Sequence, residues 1–322
     1  MTEPPAPVEP LPAVVTVRIA EGAFLLIDKP RGPTSHQVTA WVRDLLGLER
    51  AGHAGTLDPN VSGILWIGVG PALKLLPLVL QFPKRYIGVA VLHGEVPDAA
   101  VHAALLEFRG PVFQTPPVRS AVKRERRIRT IHRLDLLERN GTKLLLDVVG
   151  DSGTYVRTLA VDLGDALGVG GHLEELRRTG TGPFVEAQAV PVAVLGDAVV
   201  RAKAGAPEPL LALLHPMREV WQEFPQVVLR DSAAAAVAHG ADLAGGGIDR
   251  VLRPFSAGQS VALVSRSGDL VALGRALVDS VDLARRKQGW VIDAGRVVAD
   301  ASDYPASWRK PPAPTDPPKG TG

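Results

Sequence analysis

Ala51-Gly-His-Ala-Gly-Thr-Leu-Asp-Pro-Asn60 is the stretch on which the reading of this chain turns. It sets one carboxylate, Asp58, between two glycines and a proline, with His53 and Thr56 close by in sequence. Gly52 and Gly55 permit close backbone approach or unusual dihedrals, and Pro59 stiffens the exit. Taken alone, the segment reads as an Asx-type turn in which Asp58 bonds its own backbone, and His53 reads as a surface or packed histidine. Its weight comes from what flanks it.

Upstream, Ala23–Ile27 is a short apolar run bounded by Gly22 and Pro30, the pattern of a buried strand. Asp28-Lys-Pro-Arg-Gly-Pro33 is a turn-rich loop. A helix follows, with Ser35 as its cap and Val38, Trp41, Val42, Leu45 and Leu46 on one face, ended by Gly47. Residues 49–62 read as a polar loop, and Gly63–Val69 as the next strand. Further strands are expected at Arg85–His93 and Lys143–Val149, and a helix at Asp98–Phe108. Strands and helices mix without strict βαβ alternation, which predicts an α+β domain rather than a doubly wound one. An Ala/Pro-containing break over Val200–Pro225 precedes a second pattern. This has a short Ala-rich helix from Asp231 to His239, then strands at Gln259–Ser265 and Leu270–Asp279 joined at Ser267-Gly268.

Composition narrows the chemistry. The 322 residues carry no cysteine, which removes disulfides, thiolate zinc sites, iron–sulfur clusters and thiol nucleophiles. Formal net charge is only +2. Yet Arg119, Lys123, Arg124, Arg126, Arg127, Arg129 and Arg133 crowd one short segment with a single acid, Glu125. Such a run is often a solvated face. Seven cations against one anion repel one another without an anionic neighbour, however, and guanidinium forks match phosphates. Lys123, Arg124, Arg126, Arg127 and Arg129 are therefore expected to contact nucleic acid. No phosphate loop, dinucleotide fingerprint, Gly-x-Ser-x-Gly elbow or histidine pair at metal-ligand spacing is present, so no metal or cofactor is expected. Residues 1–22 and 301–322 are Pro-rich and read as extended tails, the first with the C-terminal domain as a surface to pack on. No apolar run approaches the roughly 20 residues that span a bilayer, and no signal peptide opens the chain. A soluble cytoplasmic protein with no membrane partner is expected.

Two further segments join the loop: Lys84-Arg-Tyr86 and Gly153-Thr-Tyr-Val-Arg157. By themselves they read as a strand-end tyrosine between cations and a strand–helix junction with an exposed arginine. Together with Asp28-Lys-Pro-Arg-Gly-Pro-Thr-Ser-His36, Gly52–Pro59 and Leu176-Arg-Arg-Thr179, they fall in an order and spacing that resembles the TruB family of RNA pseudouridine synthases. Five further segments resemble its archaeal/eukaryotic branch, the dyskerin-type catalytic subunit of H/ACA ribonucleoproteins. They are Val61-Ser-Gly63, His93-Gly-Glu-Val-Pro97, residues 116–124, residues 177–184 and His239-Gly-Ala-Asp-Leu243. The chain departs from the expected pattern at Ala54, at Leu73 and at Gly245-Gly-Gly247, where a Pro-containing turn is the norm.

The resemblance implies a catalytic domain over residues 23–218 with a mixed, largely antiparallel sheet, and a small β-rich PUA-like RNA-binding domain over 224–300. It implies that Asp58 is the catalytic carboxylate in the isomerisation of uridine to pseudouridine, without a cofactor. Arg157 would orient Asp58, Tyr86 would stack on the flipped base, and Tyr155 would line the pocket. His53 would brace the space the base vacates, Leu176 would supply an apolar wall, and Lys29 and Pro30 would support the pocket. The implied partners are guide RNA, ribosomal RNA, transfer RNA and the small proteins of H/ACA particles. Two other classes stay open at this point. A non-catalytic RNA-binding scaffold for ribosome assembly would not need Asp58, Tyr86 and Arg157 together. An aspartate-based hydrolase would need a second carboxylate to activate water, and the motif loops offer only Asp28.

Overall fold

The computed structural model describes residues 10–115, 125–285 and 289–305. The chain divides into two compact units after Met217. In the first unit the elements run α1 (Ala13–Glu21), β1 (Ala23–Lys29), α2 (Ser35–Leu45), β2 (Ala51–Ala54), β3 (Ser62–Val69), α3 (Leu76–Gln81), β4 (Lys84–Leu92), α4 (Asp98–Glu107), β5 (Gly110–Gln114), β6 (Arg127–Asn140), β7 (Lys143–Gly150), α5 (Val156–Ala166), β8 (Gly171–Thr181), β9 (Phe184–Val185), α6 (Val192–Lys203), α7 (Glu208–Leu213) and β10 (His215–Pro216). The second unit comprises α8 (Arg218–Trp221), β11 (Gln226–Leu229), α9 (Asp231–Ala238), β12 (Leu243–Ala244), β13 (Ile248–Val251), β14 (Ser260–Val264), β15 (Leu270–Ala276) and β16 (Trp290–Val297).

The main path of the large sheet runs β10-β1-β3-β8-β4-β7-β6-β5, with β2 added to β3 and β9 to β8. Its only parallel pair among the described strands is β3 with β8; every other pairing is antiparallel, as the α+β reading requires. Two apolar clusters flank it. One joins α1, α2, α6 and α7 to Leu25, Ile27, Leu65 and Ile67; the other joins α4 and α5 to Leu144, Leu146 and Val148. The second unit is a six-stranded sheet, β12-β16-β15-β14-β11-β13, closed over α9 by a core that includes Val237, Val261, Val271 and Val291.

Several expectations need correction. Residues 13–21 are not tail: α1 follows Pro12 and buries Val15 and Ile19 in the first unit's own core. Its Val- and Ile-rich sequence has weak helix propensity, so the burial of two residues one turn apart decides the conformation. Residues 1–9 and 306–322 of the tails lie outside the described residues. The cap of α2 is Thr34, whose side chain accepts from Gln37 N while Gln37 returns the bond to Thr34 N. Trp41 is 45% exposed rather than part of the buried stripe. The break over Val200–Pro225 is largely helical, holding the end of α6, α7 and α8. The polar strand β8 carries no apolar alternation, yet it lies inside the sheet because its charges are paired. Arg177 donates to both oxygens of Asp28 and to Glu186, Lys143 reaches Glu174, and Arg31 reaches Glu175.

Candidate active site

β2 delivers His53 and Ala54 opposite Ile67 and Trp66 of β3, and the chain then leaves the sheet at Gly55, whose φ is +71°. The loop that follows is held by buried side chains from the preceding segment. Ser35, fully buried, donates to Leu57 O and accepts from Leu57 N, both at 2.9 Å. Lys29, equally buried, donates to the carbonyls of Pro30 (2.8 Å), Pro33 (2.9 Å) and Pro59 (3.4 Å). Gly32 N donates to Pro59 O, and Val61 N to Asp58 O, closing the turn on which Asp58 stands. Burial pulls the Lys29 pKa down; Asp58 acts against that shift, while the charge of Arg178 adds to it.

Asp58 projects from this braced loop, half-exposed, and its Oδ2 accepts from Arg157 Nη2 at 2.5 Å. Arg157 sits in the first turn of α5, after the N-cap residue Tyr155. The cap is fixed by Gln114 at the end of β5, which accepts from Tyr155 N (2.9 Å) and donates to Tyr155 O (3.1 Å). Gln114 is nearly fully buried, and no motif singles it out.

His53 lies beside this loop. Its Nδ1 is 3.0 Å from Thr39 Oγ1 and its Nε2 is 3.3 Å from Thr56 Oγ1. Thr39 spends its one hydroxyl proton on Ser35 O, so His53 must donate from Nδ1, and in the neutral ring this leaves Nε2 to accept from Thr56. Burial, together with nearby His36 and Arg178, lowers the His53 pKa, in keeping with that neutral form. His36 packs edge-on against His53, with centroids 4.7 Å apart. The two line a groove of about 460 Å³ together with Thr39, Arg43, Gly52 and Thr56.

Tyr86 and Leu176 both pack against the α4–α5 core, with Leu176 opposite Gly88 across the β4–β8 ladder. Arg178, 2% exposed, donates twice to Ile64 O and stands opposite Tyr86 across the β4–β8 ladder. Lys84 is buried two residues before Tyr86. It donates to the carbonyls of Leu80 and Phe82 at 2.7 Å and of Val79 at 3.2 Å, tying down the end of α3. Burial and the charge of Arg178 lower the Lys84 pKa to about 7.

Of the arginine run, Lys123 and Arg124 lie outside the described residues. Arg126 stacks 4.3 Å over exposed Phe113, and Arg129 lies against Gly153. Arg127 reaches Glu125 at 3.9 Å. Arg133 does not belong with them as a free cation: it pairs with Asp135 at 3.2 Å and with buried Asp147, which Arg85 also grips in bidentate fashion. Among the described residues no cluster of metal-ligating side chains occurs, and no helix is long and apolar enough to cross a membrane.

The chain as a whole has known counterparts. The N-terminal domain model of TruB family pseudouridylate synthases matches residues 43–156, the C-terminal domain model of tRNA pseudouridylate synthase B matches 157–222, and the PUA domain model matches 225–298. A probable tRNA pseudouridine synthase B of Pyrobaculum arsenaticum is 44% identical over 89% of this chain and 87% of its own length. That of Methanothermobacter thermautotrophicus is 43% identical over 88% of each. Among solved structures, a Cbf5-Nop10-Gar1 complex superposes with a TM-score of 0.85 at 38% identity, covering 93% of this chain and 92% of its counterpart. An H/ACA RNP bound to a substrate RNA containing 2′-deoxyuridine does so at 0.81 and 36%, covering 95% and 94%. The chain belongs to the TruB family of pseudouridylate synthases, with a PUA domain following the synthase domain.

Proposed function

We propose that this enzyme isomerises uridine to pseudouridine in RNA through Asp58, the half-exposed carboxylate held by Arg157 on a loop braced from beneath. That pair is the observation that carries the assignment. In the isomerisation the N1–C1′ bond breaks, the uracil turns, a C5–C1′ bond forms, and the proton on C5 is lost as N1 gains one. No water enters the balance, so a single carboxylate at the ribose suffices, as nucleophile or as base. Asp28, the other acid of the motif loops, is bound by Arg177 and unavailable to activate water, which argues against hydrolysis. Arg157 fixes which Asp58 oxygen faces the sugar, Tyr86 stacks on the extruded base, and Tyr155 and Leu176 close the apolar side. His53, with both ring nitrogens engaged, fills the place from which the base departs. Lys29 and the Pro30 carbonyl support the loop. Extrusion of the base costs a few kcal/mol, repaid by contacts along the strand.

Arg126, Arg127 and Arg129, with Lys123 and Arg124, would hold the RNA backbone. The likeness to Cbf5 chains solved with Nop10, Gar1 and substrate RNA supports action within a guide-RNA particle. There the PUA unit would anchor the guide, small partner proteins would join the synthase domain, and ribosomal RNA would be the substrate. The tRNA pseudouridine synthase B relatives support activity on transfer RNA as well. A cytoplasmic setting fits this reading. The test is incubation of the purified protein with uridine-containing RNA, alone and with a pairing guide, assayed for pseudouridine. Wild-type turnover with none from Asp58→Asn supports the assignment; binding without turnover by wild type returns the scaffold reading.

A further inference from the structure

Arg178 is a guanidinium almost wholly out of water, and no carboxylate pairs with it among the described residues. Removing a cation from water costs several kcal/mol, and an apolar side chain of similar volume would fill the same space at less cost. What the charge does instead is visible in its partners. Nε and Nη2 converge on Ile64 O at 2.8 and 2.5 Å, anchoring the head group to β3. Nη1 faces Gly55, where an added Cβ would stand 3.0 Å away; that glycine opens the loop carrying Asp58. Directly across the β4–β8 ladder stands Tyr86, whose side chain acts on the charge of Arg178.

The backbone is arranged to make this possible. The β4–β8 ladder pairs Arg85 with Gly180 but Tyr86 with Arg178, so Thr179 is an extra residue at a bulge, and Tyr86 and Arg178 come directly opposite. On the other edge of β8, Gly63 pairs with Arg178 at φ +105°, and any side chain there would collide with the Arg178 carbonyl. A bulge on one side and an obligatory glycine on the other both serve the placement of one arginine.

We propose that Arg178 is a positioning residue: its guanidinium sets the Tyr86 ring against the Asp58 loop, so that base and carboxylate keep a fixed separation. This rests on the roles given above to Asp58 and Tyr86. Lysine keeps the charge but cannot reach Ile64 O and the Tyr86 hydroxyl together.

The experiment measures kcat and KM of the full chain for wild type, Arg178→Lys, Tyr86→Phe and the double variant, in one RNA assay with thermal midpoints alongside. Arg178→Lys is expected to lower kcat roughly tenfold or more with KM within about threefold. Tyr86→Phe should lower it in the same direction, and the double variant should be no worse than the poorer single one. General loosening of the fold would multiply with Tyr86→Phe; multiplicative losses therefore overturn the proposal, as does wild-type kcat in Arg178→Lys. If Arg178→Lys fails to fold, Tyr86→Phe decides: a kcat loss at unchanged KM supports the tie, and a wild-type kcat overturns it. Absence of pseudouridine formation by wild type itself would instead strike the proposed function.

Discussion

The loop from Gly55 to Val61 and the β5–β6 hairpin both carry residues proposed to meet RNA, and they are made in opposite ways. The loop hangs from buried polar side chains: Ser35 on Leu57, Lys29 on Pro59, Arg178 against Gly55. The hairpin presents Phe113 and Ile128, cross-strand partners each more than half exposed, with Arg126 over the ring. Gln114, in the last described pair before the connection, grips the Tyr155 backbone, and Thr130 N donates to Asp151. The difference follows from the work each does. Bond exchange at one sugar tolerates little displacement of the reacting carboxylate. Holding a polyanion needs charge in roughly the right place, and exposed guanidinium groups supply it without a rigid frame.

That contrast can be tested at either end. Asp58→Asn keeps the size of the side chain and removes its charge. Turnover should fall below about a thousandth of wild type while RNA affinity stays within about threefold. Residual turnover near wild type, read by pseudouridine analysis, would show that the chemistry lies elsewhere. Arg157→Lys should cost roughly ten- to hundredfold in kcat, because one ammonium does not reproduce the aim of a planar fork, and small misplacements at a reacting centre are expensive. An unchanged kcat would mean that Arg157 does not orient Asp58.

The bracing itself is open to a stability test. Ser35→Ala leaves the amide and carbonyl of Leu57 without partners, and unfolding free energy should drop by about 1–3 kcal/mol, with kcat reduced alongside. A drop in stability at full kcat would separate the loop's frame from its chemistry. Lys84 gives a pH signature. Its folded pKa of about 7 lies below the ordinary value of 10.5, so between these limits the unfolded chain binds more protons than the native one. Stability should therefore rise with pH across that window, by no more than about 1.4 kcal/mol per pH unit, and be independent of this group below it. Denaturant titrations at several pH values, compared with Lys84→Met, measure the slope; equal slopes in the two proteins would refute the shift.

The smallest effect is expected on the hairpin. Replacing Arg126, Arg127 and Arg129 with Gln should weaken RNA binding and flatten its salt dependence, by roughly 0.7–0.9 in log–log slope for each phosphate that is no longer neutralised. Turnover at saturating RNA should hold. A lower kcat at saturation would tie the hairpin to the chemistry through Gln114 and remove the contrast between the two regions.

The α+β class, the second β-rich unit and the locally written elements of the site were legible in the chain before it folded. Gly52 to Pro59, Lys84 to Tyr86 and Gly153 to Arg157 are short, distinctive and ordered, and their resemblance points to Asp58 and Arg157. That these two side chains meet, 99 positions apart in the chain, is a property of the folded sheet alone. So is what holds them. Ser35 reads locally as a helix cap and is instead a brace on Leu57, because Thr34 takes the cap. Arg178 reads as one more cation of a polar strand and is instead buried against Ile64, 114 positions away. Gln114 carries no local signal at all. Arg133 stands in a basic run and is consumed by Asp147. Even α1, lost among prolines and β-branched residues, forms because Val15 and Ile19 find a core. Periodicity and turn chemistry report interactions within a few residues. Partners brought together by strand order, and the burial that gives a polar side chain its task, exist only once the sheet has closed around them.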